Sequence, residues 1–111
     1  MKIDSNVVDG VAVLSPKGKI TIGVGDVALR EAVHDVLDNG ERNILIDLSG
    51  VSTMDSSGVG ELVSAYTTVK NRGGMLKLCS VPSKVTDILQ MTQLITVFEV
   101  YDDRAEALAT F

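Results

Sequence analysis

The chemically able side chains concentrate in Met54-Asp55-Ser56-Ser57-Gly58-Val59-Gly60, where a carboxylate and two hydroxyls stand beside two glycines. The stretch reads as the end of a buried strand, a polar corner and the first turn of a helix. The helix is expected because Val59, Leu62, Val63, Tyr66 and Val69 recur at helical spacing. A serine at a helix N-terminus lies beside free backbone N–H groups and the positive end of the helix dipole. Ser56 is therefore a place where a phosphoryl group fits without unfolding the helix. Asp55 and Ser56 are also what an ordinary helix start needs, since both cap well. Spacing alone leaves both readings open. Gly58 and Gly60 are expected to keep bulk away from an approaching partner.

Two other chemistries compete. A nucleophilic hydrolase would need Gly-x-Ser-x-Gly around its serine, and Met54 stands where the first glycine belongs. His34, the only histidine, has no nucleophile or metal partner fixed nearby in sequence and reads as a surface or boundary residue. The segment Gly23-Val24-Gly25-Asp26-Val27-Ala28 fits the dinucleotide pattern G-x-G-x-x-G/A, with Asp47 at about the separation of the ribose-binding acid. The chain is short for the usual two-half nucleotide fold, and Asp47 reads as preceding an apolar strand residue rather than ending its strand. A plain strand-to-helix connection is the other reading of this segment.

Positioning these residues requires a framework, and the chain supplies one. Ile3 to Val8 and Val11 to Ser15 flank Asp9-Gly10, a pair suited to a tight hairpin turn. Pro16 and Gly18 interrupt the second run, and Lys19 to Ile22 continues the strand or leaves it at a sheet edge, where a proline loses no ladder bond. After Gly23 to Gly25, Asp26 is a plausible N-cap for a helix with Leu29, Ala32, Val33, Val36 and Leu37 on one stripe, stopped by Asn39-Gly40. Ile44 to Leu48 is a near-continuous apolar run, the mark of a central strand covered on both faces. Asn71 to Gly74 ends the helix that begins at the corner, and Met75 to Cys79 is the next strand. Pro82 opens a helix with Val85, Ile88, Leu89 and Met91 inward. Val97 to Val100 is a last strand. Asp103 and Glu106 are spaced to cap a terminal helix with Ala105, Leu108 and Ala109 inward. Strands separated by helices favour right-handed crossovers, so the expected fold is α/β, a mixed sheet of hairpin plus parallel strands with about four packed helices.

Composition narrows the partners. The chain has 111 residues, 45% hydrophobic and 4% aromatic, with no Trp, enough for one domain with an aliphatic core. Its net charge is −5 and its ten Lys and Arg form no run, which argues against nucleic acid or an anionic membrane and leaves a protein partner. Cys79 stands alone, so an intrachain disulfide is excluded and a buried thiol in a reducing compartment is expected. No signal core and no span of ~18–20 apolar residues is present, and a cytoplasmic protein is expected.

The stretch from Asn43 through Asp47-Leu48 and Asp55-Ser56-Ser57-Gly58-Val59-Gly60 to Leu62 resembles the STAS domain family, more narrowly the bacterial anti-sigma factor antagonists. The resemblance runs on through Lys70 to Gly74, the following strand and the region from Val85 to Leu94, and covers essentially the whole chain as a single domain, 1–111. It implies a STAS-like mixed sheet and a phosphate acceptor at Ser56, with Asp55, Ser57, Gly58 and Val59 around it in the partner surface. It implies an anti-sigma factor that is also a serine kinase, of the histidine-kinase-like ATPase superfamily, as partner of the unmodified form. It also implies release on phosphorylation and a PP2C-type phosphatase to reset the system. No catalytic residue, metal or cofactor of the chain's own is implied. Family members often carry Gly-x-Leu-Asp after the second extended run; here Gly18-Lys19-Ile20-Thr21 places Thr21 at the aspartate position, unless Asp26 replaces it after a small insertion. The other readings are a STAS interaction module of a signalling scaffold or transport system that is not phosphorylated, and a nucleotide-binding STAS domain.

Overall fold

The structure is a computed structural model that describes residues 1–111. The elements follow in the order β1 (Lys2–Val8), β2 (Val11–Ile20), α1 (Gly25–Asp38), β3 (Asn43–Asp47), β4 (Val51–Met54), α2 (Ser56–Asn71), β5 (Met75–Cys79), α3 (Ser83–Met91), a 3-10 turn (Leu94–Thr96), β6 (Val100–Tyr101) and α4 (Arg104–Leu108). The hairpin turn forms as the sequence predicts, with Asp9 and Gly10 both at positive φ, 51° and 79°. β1 runs antiparallel to β2, while β3, β5 and β6 add in parallel, giving the order β1-β2-β3-β5-β6.

The sheet is mixed, as expected, but β2 is not at its edge. Its first half pairs with β3, from Val11↔Asn43 to Leu14↔Ile46. Its second half pairs with β4, from Gly18↔Val51 to Ile20↔Met54, with a register shift between Gly18 and Lys19. Pro16 falls between the two pairings, where β2 changes partner and no parallel ladder needs its missing N–H. β4 is a separate short strand, and buried Met54, expected to end a buried strand, is its last residue.

Period-two alternation distributes the strands' apolar side chains between two layers. Ala12, Leu14, Ile44, Ile46, Leu76 and Leu78 face α1, α2 and α3 and join a core cluster of 21 buried residues. Val11, Val13, Leu45 and Cys79 face the other way and pack with Ala107 of α4. On this second face Lys77 is buried. Its Nζ donates to the Thr110 carbonyl at 3.0 Å and hydroxyl at 2.9 Å and lies 4.7 Å from the Phe111 ring centre.

Two helix phases and one strand boundary differ from expectation. Met91 is exposed rather than inward. Asp103 caps α4 through the Glu106 N–H at 2.7 Å, but that phase turns Ala107 inward and leaves Ala105 and Ala109 in solvent. The last strand is Val100–Tyr101, because the 3-10 turn and buried Phe98 take up the residues before it.

Candidate functional site

The C-terminal end of β2 is the floor of the polar corner, and two helices begin on it. A Cβ on Gly25, at the start of α1, would lie 2.2 Å from the Lys19 carbonyl oxygen and 2.7 Å from the Ile20 Cα. A Cβ on Gly58, in the first turn of α2, would lie 2.2 Å from the Ile20 carbonyl oxygen. Both helix starts thus rest directly on the Lys19–Ile20 backbone, and only glycine permits that approach. Gly58 is therefore buried, and its role differs from the expected one. It lets α2 sit down on the strand rather than clearing space for a partner. Gly60, with no atom near its would-be side chain, does leave open surface.

Asp55 is the N-cap of α2. One carboxylate oxygen accepts from the Gly58 N–H at 3.0 Å, the usual capping bond. The other accepts from the Ile22 N–H at 3.0 Å and so ties the helix start to the loop between β2 and α1. These two backbone donors, Ile22 first and Gly58 second, hold the Asp55 carboxyl below its ordinary value, so it is an anion across the physiological range.

Ser56 is the first residue of α2 and is exposed. The hydrogen bonds of the corner run through Asp55, which leaves the Ser56 hydroxyl presented to solvent at the positive end of a 16-residue helix. Ser57 is half-buried behind it. Val59 is buried at 3% exposure and anchors the first turn in the core. Gly58 and Val59 therefore hold the corner in place and offer a partner no side-chain surface.

Thr21 and Asp26 lie in the same corner, brought there by a closed loop. The Thr21 carbonyl accepts from the Asp26 N–H at 3.1 Å. Asp26 is not the N-cap of α1: that position is Val24, without a side-chain cap bond, and Asp26 stands in the first turn. Its Oδ1 accepts from the N–H groups of Gly23 at 2.9 Å and Val27 at 2.8 Å. Two amides of this turn, those of Gly23 and Val27, are thus already engaged by a carboxylate. Asp47 does end its strand, contrary to the sequence reading, but it faces α4. It accepts from Arg104 Nη2 at 2.8 Å and from the Ser49 N–H at 3.0 Å, and Arg104 also reaches Ser15 at 3.0 Å. Burial pushes the Asp47 carboxyl up, but the Ser49 and Arg104 bonds outweigh it and the net direction is down. The glycine pattern and Asp47 do not form one nucleotide site.

His34 is half-buried in a shallow groove between α1 and α2, beside Arg30, Glu61, Ser64 and Thr68. The Arg30–Glu61 pair, 3.1 Å apart, closes the groove toward the corner. No group of three or more His, Cys, Asp or Glu side chains is arranged to hold a metal ion, and no helix is long and apolar enough to cross a membrane. Sequence reasoning missed Ile22, whose amide completes the Asp55 cap. No sequence signal could have found it, because the bond is made by a backbone N–H to a residue 33 positions away.

A family model described as the STAS domain matches residues 2–107. A Thermotoga maritima protein described as a candidate anti-sigma factor antagonist is 28% identical over 102 residues, 92% of this chain and 90% of the relative. The anti-sigma F factor antagonist of Paenibacillus polymyxa is 25% identical over 99 residues, 89% of this chain and 85% of its own. A crystal structure of a candidate antagonist from T. maritima superposes with a TM-score of 0.89 at 28% identity, covering 97% of this chain and 92% of that one. The family model spans nearly the whole chain and the relatives that match it over most of their length are described as anti-sigma factor antagonists or candidates for that role; the chain belongs to the STAS domain family.

Proposed function

We propose that the chain is a phosphorylatable antagonist that works in the cytoplasm by partner switching. Unmodified, it binds an anti-sigma factor that is also a serine kinase, so that the kinase lets go of its client. Phosphorylated on Ser56, it is released, and a PP2C-type phosphatase restores it. The observation that carries this reading is the exposed Ser56 hydroxyl at the N-terminus of α2, beside an Asp55 carboxylate whose two oxygens each accept a backbone N–H. A solved neighbour of the same fold, a Bacillus cell fate determinant, is described in its phosphorylated form, so this fold accommodates such a group.

In the transfer, Ser56 Oγ forms a bond to the γ-phosphorus of ATP as the bond to the β-phosphate oxygen breaks. The hydroxyl proton passes to a base of the kinase and ADP leaves. The chain supplies the acceptor and the surface; the kinase supplies nucleotide, metal and base. It acts as substrate and ligand rather than as an enzyme. The product carries about −1.5 to −2 charges where there was none. Inside an interface that charge meets desolvation and the neighbouring Asp55. A loss of ~3–4 kcal/mol weakens binding a few hundred-fold.

The test is to incubate the chain with the kinase and ATP and locate phosphate by mass spectrometry. Phosphate on Ser56 is expected; phosphate elsewhere, or none, overturns the proposal. Ser56→Ala should keep kinase binding and Ser56→Asp should weaken it. Equal affinities would remove the charge-based release.

A further inference from the structure

β1, seven residues long, ends the sheet on one side, and β6, two residues long, ends it on the other. The tight turn at Asp9-Gly10 makes Val8 and Val11 the closing hydrogen-bonded pair of the hairpin. Alternation along the ladder makes Asn6–Val13, Asp4–Ser15 and Lys2–Lys17 the others. Pro16 then faces Ile3 in a non-hydrogen-bonded pair, as its missing N–H requires. The N–H and C=O groups of Ile3, Ser5 and Val7 therefore point outward along the edge. Proteins commonly blunt such an edge with proline, a bulge or unpaired charge. β1 holds no proline and pairs with β2 without a register shift. Its one carboxylate, Asp4, is flanked by Lys17 at 3.4 Å and Lys2 at 3.9 Å. Val7, the large aliphatic nearest the turn on the helix-bearing face, stands 59% exposed.

We propose that β1 is the contact strand of a two-fold dimer, pairing antiparallel with β1 of a second copy of this chain about an axis at Ser5. The strand is complementary to itself in this register. Each Ile3 stands opposite the partner's Val7, which makes two aliphatic cross-strand pairs on the helix-bearing face, where Ile3 already packs on the core. Exposed Val7 is covered by the same pairing. On the other face Asp4 stands opposite the partner's Asn6 and Lys2 opposite the partner's Val8, so no like charges oppose. Sliding the strands by two residues one way sets Asp4 against the partner's Asp4. Sliding them the other way sets Ile3 against Asp9 of the partner's turn. Charge and apolar matching thus select one register, and that selection is what favours a second copy over an unrelated strand. The contact is the same patch on both copies, so it closes at two; the two-residue β6 offers no second long edge for growth. Ser5 lies beside Leu14, whereas the polar corner stands beyond Ile20 at the far end of β2, so the inference is independent of the role given to Ser56.

Sedimentation equilibrium of the full chain, from micromolar to millimolar concentration, should show a reversible monomer–dimer equilibrium. Val7→Lys sets a charge against the partner's Ile3 twice, once from each copy, and should weaken association roughly tenfold or more. Val7→Ile keeps the aliphatic pair and should associate as wild type does. Thermal unfolding at micromolar concentration checks that each variant is folded. Ser5→Cys tests the register by itself. Facing Cα atoms of a hydrogen-bonded antiparallel pair lie about 5.5 Å apart, within the span of a disulfide. Glutathione disulfide should convert Ser5→Cys to a covalent dimer. It should give Ser52→Cys, exposed on β4, only a glutathione adduct. Cys79 is buried and takes no part. A wild-type chain that stays monomeric at millimolar concentration overturns the proposal. A dimer that folded Val7→Lys leaves intact, or that Ser5→Cys fails to lock, overturns it too. Should Val7→Lys fail to fold, the Ser5→Cys result decides.

Discussion

Gly58 and Gly60 lie two residues apart on one helix, yet alanine at each should act in opposite directions. At position 58 the new Cβ would stand 2.2 Å from the Ile20 carbonyl oxygen, 2.6 Å from Met54 Cγ and 3.0 Å from Ile20 Cγ2. Comfortable non-bonded contact begins near ~3.5 Å, so the overlap with the oxygen exceeds about 1 Å. Met54 can turn aside. The Ile20 oxygen cannot, because Ile20 is the last residue of β2 and is paired with Met54 in the ladder. The first turn of α2 must lift instead. Overpacking of this kind costs about 1–3 kcal/mol, and the upper half applies where backbone is struck. The gain of about 0.8–1 kcal/mol for alanine over glycine in a helix offsets part of it. At position 60 nothing lies within 4 Å, so only the gain remains. The two variants should therefore differ by about 2–3 kcal/mol, or roughly 8–12 °C in Tm at about 4 °C per kcal/mol for a domain of this size. Urea unfolding and calorimetry measure this directly. Lifting the turn also pulls Asp55 from the loop, so amide exchange at Ile22 should quicken in Gly58→Ala and not in Gly60→Ala. A Gly58→Ala variant as stable as wild type would refute the claim that α2 rests on the end of β2.

Two further outcomes follow from groups on the second face of the sheet and from the cap. Because the Asp47 carboxyl titrates below its unfolded value in the folded chain, its contribution to stability is complete above about pH 4 and is lost as pH falls toward the folded value. Asp47→Asn should lower Tm at pH 7 and flatten the decline below about pH 4. It should leave a residual slope from Asp55, whose shift has the same direction; an acid limb as steep as wild type's would contradict this. Burial, with the Asp47 charge second, pushes the Cys79 thiol up to about 11, so only about one thiol in a thousand is ionised at pH 8. Iodoacetamide should leave Cys79 unlabelled in the native protein and modify it promptly in urea, and rapid native labelling would contradict its burial.

The parts of the fold that local pattern could reveal are those made by local physics. The Asp9-Gly10 turn, the doubly apolar run from Ile44 and the stripe from Val59 each declare their structure within a few residues. β4 declares only its end, at Met54. Val51-Ser52-Thr53-Met54 has no strong period, and it becomes a strand only because the second half of β2 lies beside it unpaired. Pro16 pointed to a sheet edge because a proline cannot donate to a ladder. The structure satisfies that rule differently, at the place where β2 passes from one neighbour to another. The site followed the same division. Asp55 and Ser56 were legible from their place before an apolar stripe. The bond from Ile22 to Asp55 spans 33 residues and that from Arg104 to Asp47 spans 57, so neither leaves a trace in spacing.

The corner divides two tasks between adjacent residues, and that division bears on how a switch can work here. Asp55 carries the structure: both of its oxygens are engaged, one by the helix and one by the loop. Ser56 carries none of it and lies outside the core that Val59, Leu62 and Val69 enter from the same helix. A phosphoryl group on Ser56 would therefore add charge at a point where no existing bond must break to receive it and where the helix dipole lessens its cost. Its effect falls on whatever covers the corner, not on the fold beneath. Release of a partner then needs no refolding, only an interface that was apolar and dry beside Ser56 and cannot remain so once a dianion stands in it.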